Sequence, residues 1–463
     1  MNYSLLILGT IACLAGCSLV PKYERPASPV SGAWSISPQA ASTNNAAGID
    51  WSEFYGDPRL RKLIGLALEN NRDLRVAALR VEQARAEYRI ARSYQFSGVK
   101  VDTSLLRQKT SGQVSEFNGG TMQSIYNVDI GAAYELDMFG RVRSLKKEAL
   151  ELYFATEEAR KSVQIALVSQ VAMEYFTQVR LLEAKAVANQ TLETVQKSYN
   201  LIIKSFEAGA ASELDLRTAE EQVQMVRVNA AGFLQLLAES EHALVVLVGQ
   251  LLPNDLPAGQ NLRDQRLLTS LPAEVPSEVL QRRPDILAAE HTLQAANADI
   301  GAARSAFFPR ILLTGSAGTA SAKLADLFTS PSATWSFSPQ ITIPIFNLGA
   351  TKSKLDVAKL TKRIEIANYE KAIQHAFREV ADSLSIRAIL DEKLKAQESL
   401  LAAQQRRFDL ITERYRHGVD SYVDVLLSQQ ALHSAQQNLL QYQMARLLNG
   451  VALYRSLGGG WKS

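Results

Sequence analysis

From Arg141 to Ala208 the chain has neither glycine nor proline, and the same is true from Ala350 to His417. Each run is about 68 residues long, closed by Gly140 and Gly209 in one case and Gly349 and Gly418 in the other. Glycine and proline are the residues that end helices, so each run is predicted to be one uninterrupted helix. At about 1.5 Å per residue it would reach roughly 100 Å. A compact domain has no use for such a rod, so something must be spanned.

The apolar spacing agrees with helix. Val142, Leu145, Ala149, Leu152, Ala159, Val163 and Ala166 follow a three-four alternation, with Thr156 in the one gap, and Val357, Leu360, Ile364 and Ala367 open the second run in the same way. This is the seam of a coiled coil, and its alanines allow close helix approach.

The first residues read as an export signal. Leu5 to Leu14 form an apolar core of signal-peptide length, followed by Leu14-Ala15-Gly16-Cys17. The match is to the bacterial lipoprotein signal, with residues 1–16 removed and Cys17 lipidated. The segment before the apolar core lacks the usual Lys or Arg. Ser18 rather than Asp follows the cysteine, which by resemblance to bacterial lipoproteins favours the outer membrane. Cys13 is lost with the signal, leaving one cysteine and no intrachain disulfide. No unbroken apolar run of about 18 residues follows, so no transmembrane helix is expected. A net charge of +3 argues against nucleic-acid binding.

An extended arm is expected over residues 17–57, rich in Pro, Ser, Ala and Asn, before a helix capped by Asp57 with Pro58 in its first turn. The period then changes. After Val99, Val101 and Leu105 comes the series Tyr126, Val128, Ile130, Ala132, Tyr134, Leu136 and Met138, interleaved with Asn127, Asp129, Gly131, Glu135 and Asp137. Such alternation fits a membrane barrel strand, apolar towards lipid and polar towards water, and equally a half-buried soluble sheet. A surface loop is expected at Ser111 to Thr121. Later Ile311 and Leu313 open another strand, and Trp335, Phe337, Ile341, Ile343 and Ile345 form one more. Trp335 and Tyr126 suit either a membrane-interface belt or core packing.

The plan occurs twice. At an offset of about 212, Asp73 meets Asp285, Arg92-Ser93 meets Arg304-Ser305 and Phe96 meets Phe308; at about 209, Val171-Ala172 meets Val380-Ala381, Gly209 meets Gly418, Ser212 meets Ser421 and Asp215 meets Asp424. The expected division is repeat 1 at 58–252, a Pro-rich linker at 253–276 and repeat 2 at 277–463. In repeat 1 the strands fall at about 98–138 and the helices at 141–208 and 212–249; in repeat 2 the strands fall at about 310–346 and the helices at 350–417 and 421–457. The fold class is α+β. Four strands cannot close a membrane barrel, which begins at about eight. They must be shared, two chains giving eight and three giving twelve, in an oligomeric tube.

At this point a resemblance is plain. It is carried by Leu14 to Ser18, Pro21 to Pro26, Asn70 to Arg75, Glu135 to Arg141, Gln281 to Ile286, Gly301 to Pro309 and Leu457 to Trp461. In these stretches the chain resembles the outer-membrane factors of tripartite (RND-type) efflux systems, in the TolC superfamily, and among them the OprM and NodT-type lipoprotein branch. The resemblance implies a homotrimer, a 12-stranded outer-membrane barrel and a periplasmic α-helical barrel. It also implies docking to a periplasmic adaptor protein and an inner-membrane RND pump.

A tube across the outer membrane must be closed somewhere, and the natural place is where the long helices turn back. Those turns hold Gly209 and Ser212, then Gly418 and Ser421, which are also the expected adaptor-docking positions. Inward carboxylates repeated by symmetry would form acidic rings. Candidates are Glu213, Asp215, Asp420 and Asp424, with helix capping the alternative reading. Relatives often carry Leu-Asp-Ala-Gln-Arg-Ser just after this turn, whose Asp and Arg serve the gate. Here Leu427 and Gln430 stand at those positions. An apolar ring of Val423 and Leu427 could gate by dewetting instead.

No catalytic set, nucleotide loop or paired-histidine metal motif is visible, and no enzymatic activity or cofactor is expected. The function expected is a passive outer-membrane exit channel for drugs or other toxic small molecules. The alternatives are a type I protein secretion duct, a copper or silver efflux channel, and an envelope protein that bridges membranes without a pore.

Overall fold

A computed structural model of the chain describes residues 18–30, 49–109, 111, 122–268 and 282–461. The signal segment, Cys17, nearly all of the expected loop at Ser111 to Thr121 and part of the expected linker lie outside the described residues. The chain divides into two compact units. One comprises Met1–Ala27, Arg80–Glu157 and Ala288–Glu370; the other comprises Ser28–Leu79, Glu158–Leu287 and Lys371–Ser463. In chain order the elements are α1 (Trp51–Phe54), α2 (Pro58–Asn70), α3 (Arg72–Ser93), β1 (Gly98–Lys109), β2 (Met122–Leu136), α4 (Arg141–Glu207), α5 (Glu213–Val248), α6 (Pro284–Ser305), β3 (Arg310–Ser321), β4 (Ala333–Thr342), α7 (Ala350–Arg416) and α8 (Tyr422–Ser456). Helices α4 and α7 are each 67 residues long.

Several expectations need correction. A short helix, Trp51–Phe54, falls inside the expected extended arm. The helix expected from Pro58 is two helices, because Asn71 is extended (φ −61°, ψ 132°) and its side chain accepts from Leu74 N at 3.0 Å and donates to Leu247 O at 2.8 Å. Met138 lies in a turn, and Ile343 and Ile345 lie beyond β4. Of the expected seam, Val142 is buried, whereas Leu152, Ala159, Val357, Leu360, Ile364 and Ala367 are exposed. The stripes are apolar and helical, but this one chain does not cover them. Finally, α5 is long and apolar enough, by length and composition alone, to cross a membrane. Scanning for an unbroken apolar run missed it, because its apolar residues are interleaved with Asn, Gln and Glu.

In the first unit the four strands form one antiparallel sheet in the order β1-β2-β3-β4, leaving β1 and β4 as edges. The register gives it two chemically distinct faces. One cross-strand row reads Val101, Ile130, Ala317, Trp335, and the next on that face reads Val99, Ala132, Gly315, Phe337. The opposite face carries Lys100, Gly131, Ser316, Ser336 and then Asp102, Asp129, Gly318, Thr334. Asp102 and Asp129 lie directly opposite, a repulsive placement. Lys100 pairs with Asp102 at 2.7 Å, and Asn127 donates to Asp129 at 2.5 Å. The apolar face is open: Val101 is 64% exposed, Phe337 63% and Trp335 79%.

The two strand-to-helix corners of this unit are built differently. After β2, Glu135 accepts from Arg141 through both carboxylate oxygens (2.7 and 2.8 Å) and from Arg310 at 2.8 Å. Asp137 accepts from the backbone N–H groups of Val142 (3.0 Å) and Arg143 (2.9 Å), satisfying two donors at the start of α4. Phe139 stacks on Phe308 at 4.6 Å. After β4, by contrast, Ile343, Ile345, Phe346 and Leu348 are all exposed, and Leu348 has a left-handed φ of 52°. The arm also belongs to this unit. Leu19 O accepts from Arg304 and Pro21 O from Asn297, and Arg25 pairs with the buried Glu290. A Cβ at Gly301 would come within 2.5 Å of Val20, so the small residue lets the arm lie against α6.

In the second unit the core gathers Phe54, Tyr55, Leu60, Leu63, Ile64, Leu244 and Tyr454, with Phe54 and Tyr454 stacked at 4.0 Å. Asp57 is wholly buried and caps α2; its other oxygen accepts from Tyr175, Gln260 N and Gln265. Arg283, nearly buried, binds Asp285, Glu379 and Ser456 O, tying the start of α6 to α7 and to the end of α8.

Candidate functional site at the helix turns

Both long helices end in the same local structure. Glycine at 209 (φ 72°) and 418 (φ 74°) takes the left-handed conformation that other residues resist. In the first turn Gly209 N donates to Phe206 O and Ala210 N to Ser205 O; in the second Gly418 N donates to Tyr415 O and Val419 N to Arg414 O. These paired bonds are a Schellman motif, which satisfies the last carbonyls of a helix. Neither glycine has an atom within 4 Å of where a Cβ would stand, so the demand is on backbone conformation and not on space.

The return helices also start alike. Ser212 Oγ accepts from Asp215 N at 3.1 Å, while Asp215 Oδ2 accepts from Ser212 N (3.0 Å) and Oγ (2.7 Å). Ser421 and Asp424 repeat this at 3.2, 3.2 and 2.6 Å. Each is a capping box, contributing about 1 kcal/mol to its helix. Asp215 and Asp424 are thus placed as caps. The hydrogen bonds from Ser212 hold the Asp215 carboxyl below its usual range. Glu213 and Arg217 form an exposed pair at 3.7 Å.

Asp420 stands apart from the boxes. Its carboxylate receives a two-pronged bond from Arg414, at 2.8 and 2.9 Å, across the second turn. That bond lowers the Asp420 carboxyl. The sequence reading missed Arg414 as its partner; the signal was an arginine six residues earlier, on the last turn of a helix that reverses at Gly418.

Beneath the turns the four helices share an apolar cluster. Ile202, Ala219, Tyr422, Val425 and Leu426 are buried, with Tyr199, Leu216, Phe408, Ile411 and Tyr415 packed against them. Tyr415 and Tyr422 lie 5.8 Å apart. Burial, with Tyr415 and Asp215 nearby, pushes the Tyr422 hydroxyl up to about 12. This cluster also sorts the gate candidates. Tyr422, Val425, Leu426 and Gln429 face inward, which leaves Val423 and Leu427 on the outer face of α8, 51% and 54% exposed. Gln430 donates to Gln222 at 3.2 Å, so the polar residue at the second altered position joins α8 to α5.

Two histidines elsewhere make contacts between helices. His291 pairs with Glu151 at 2.8 Å and His433 contacts Thr191 at 3.2 Å, in each case on neighbouring helices. Among the described residues no three His, Cys, Asp or Glu side chains gather as a metal site would require.

Residues 63–250 and 275–459 match the family described as outer membrane efflux protein. The chain belongs to that family. Efflux proteins of this family are outer-membrane channels and not enzymes, and this chain is an outer-membrane efflux channel. It is 45% identical to the probable efflux pump outer membrane protein TtgC of Pseudomonas putida, over 100% of this chain and 96% of that one. It is 39% identical to the cation efflux system protein CusC of Escherichia coli, over 97% of each. Among solved structures it resembles the MtrE outer membrane channel of Neisseria gonorrhoeae in its open state, with a TM-score of 0.88, 39% identity, and coverage of 96% of this chain and 99% of that one.

Proposed function

We propose that this efflux protein works as a homotrimer, each chain giving four strands to a 12-stranded barrel and its long helices to a periplasmic α-helical barrel. The observation that carries this reading is the sheet. Four strands with two free edges cannot stand alone in a membrane, where every backbone group needs a partner, and closure with further copies removes both edges. The apolar face suits lipid, and the face with Lys100, Asp102 and Asp129 suits a water-filled lumen. The exposed stripe Val357, Leu360 and Ile364 on α7 and the exposed corner after β4 supply surfaces for neighbouring chains. The matching order of helix, two strands, long helix and return helix supports an internal duplication, with repeats at 58–252 and 277–463 joined by the linker at 253–276.

The channel is the passive exit of a tripartite pump, receiving drugs or other toxic small molecules from a periplasmic adaptor and an inner-membrane RND pump. Residues 1–16 are a lipoprotein signal and Cys17 carries the lipid. The adaptor docks at the turns of Gly209, Ser212, Gly418 and Ser421. The gate comprises Asp215, Asp420, Val423, Asp424 and Leu427, the two apolar residues closing the path by dewetting and the Arg414–Asp420 pair holding the turn in shape. A second reading, metal export, is favoured by the likeness to a cation efflux protein.

The test is the susceptibility of a deletion strain to organic solvents, drugs, dyes, bile salts, copper and silver, with a plasmid copy as control. Sensitivity to several unrelated organic compounds is expected. Sensitivity to copper or silver alone would move the assignment to metal export. No change, with loss of a secreted protein from the medium, would replace efflux by secretion.

A further inference from the structure

In the first unit the helices stand in a row next to the sheet. Lys146 of α4 donates to Gln95, just past α3; His291 of α6 pairs with Glu151 of α4; and Lys362 of α7 donates to Asn297 of α6. The order is α3, α4, α6, α7, so α3 and α7 end the row as β1 and β4 end the sheet. Each end helix carries a stripe of exposed cations. On α3, Val81, Ala84, Tyr88 and Ala91 are partly buried, and Arg85, Arg89 and Arg92 follow them a quarter turn round the axis. On α7, Leu355, Ala358 and Lys362 are at least partly buried, and Lys352, Lys359 and Arg363 follow a quarter turn round in the same sense. Among the described residues none of these six cations forms an ion pair with a carboxylate.

The screw sense of the helices puts both stripes on one side of the row. Helix α3 runs towards the sheet and α7 away from it, at opposite ends, so equal turns from their inward faces lead to the same side. That side holds the N-terminal arm. Helices α3 and α6 run the same way and flank α4; on α6 the residues that hold the arm, Glu290, Asn297 and Gly301, come a quarter turn before His291, which faces α4. The stripes also adjoin apolar surface. Tyr94 and Phe96, 60% and 64% exposed, lie between Arg92 and β1, and Val99 on the apolar face of β1 is 70% exposed. At the other end Lys352 stands in the first turn of α7, which has no acid. A cation there opposes the helix dipole, and a bound anion relieves it.

We propose that these six cations form a collar that binds the phosphates of anionic glycerophospholipids in the leaflet facing the periplasm. Clustered Lys and Arg beside a lipid-facing surface are the form such recognition takes. This rests on the reading of the apolar sheet face as lipid-facing, and it gives the arm's side of the row a partner of its own, apart from the lumen and from the helix turns.

The test uses the full-length protein in phosphatidylcholine vesicles, with trace phosphatidylglycerol or phosphatidylcholine spin-labelled far down one acyl chain. Electron paramagnetic resonance separates lipid slowed by the protein from free lipid. Both probes should show a slowed fraction, with phosphatidylglycerol favoured about threefold or more at low salt. The preference should shrink in 1 M salt, where the screening length falls from about 10 Å to about 3 Å. Combining Arg89→Gln, Arg92→Gln and Lys352→Gln should remove most of it, whereas Arg89→Lys with Arg92→Lys should keep it, since charge and not fork geometry is what the phosphate reads. All these side chains are exposed, and unchanged elution would confirm that the variants fold. Equal slowing of the two lipids, or a preference that survives the triple substitution, would overturn the collar while leaving the lipid-facing sheet in place. Absence of slowed lipid of either kind would overturn the lipid-facing sheet and the collar with it.

Discussion

The two corners at which a strand hands over to a long helix do the same geometric task by opposite means. After β2 the corner is closed within the chain: Glu135 holds Arg141 and Arg310, Asp137 caps α4, and Phe139 stacks on Phe308. After β4 the corresponding stretch is Ile343 to Leu348, with Ile345 93% exposed, Phe346 82% and Leu348 88%. Leaving so much apolar surface in water is costly, at about 25 cal/mol per Å². A left-handed leucine adds roughly 1 kcal/mol or more of backbone strain. One corner is held by contacts within the chain, and the other leaves its apolar residues exposed. The two strand-to-helix passages differ in how much of their apolar surface the chain itself covers.

The comparison breaks most severely at the open corner. Ile345→Asp with Phe346→Asp should abolish assembly while leaving each chain able to form its helices. Light scattering coupled to size exclusion in mild detergent would show monomer in place of trimer; retention of the trimer would mean that the corner is not an interface. Glu135→Gln at the closed corner should spare assembly and cost stability instead. Removing the charge from two charge-assisted contacts is expected to cost about 1.5–3 kcal/mol, read as a lower unfolding midpoint of the intact oligomer.

A smaller effect sharpens the contrast further along α4. Burial, with Asp299 nearby, pushes the Glu148 carboxyl up from 4.5 to about 7. A raised folded-state value means that the protonated form is favoured in the fold. The resulting stability is fully present below pH 4.5 and is lost as pH rises through 7. Glu148→Gln should flatten this dependence and raise the thermal midpoint at pH 8 relative to the native protein. An unchanged slope between pH 5 and 8 would show that Glu148 is not the group responsible.

Much of this was legible in the residues. The glycines at 209 and 418 and the Ser-x-x-Asp pairs after them announce a left-handed stop and a capped restart, because few other residues meet those backbone demands. The alternation around Tyr126 to Leu136 gave the strand and its two faces. What stayed hidden was long-range pairing. Arg283 and Asp57 stand in stretches whose importance shows in sequence, yet their partners Glu379 and Tyr175 lie far along the chain. Capping against a pore role for Asp424 could not be settled from type and spacing, since both uses want an acid near a helix start. The exposed seam on α7 has the same cause: apolar spacing shows that a face is covered, not by which chain.

The most direct measurement is single-channel recording of the purified protein in planar bilayers, beside a Val423→Ala, Leu427→Ala double variant. The native protein should insert and conduct in small or infrequent steps, and the variant should conduct more, because widening an apolar constriction lets it wet. If the two conduct alike, Val423 and Leu427 are not the gate; if neither conducts, the protein is not a channel.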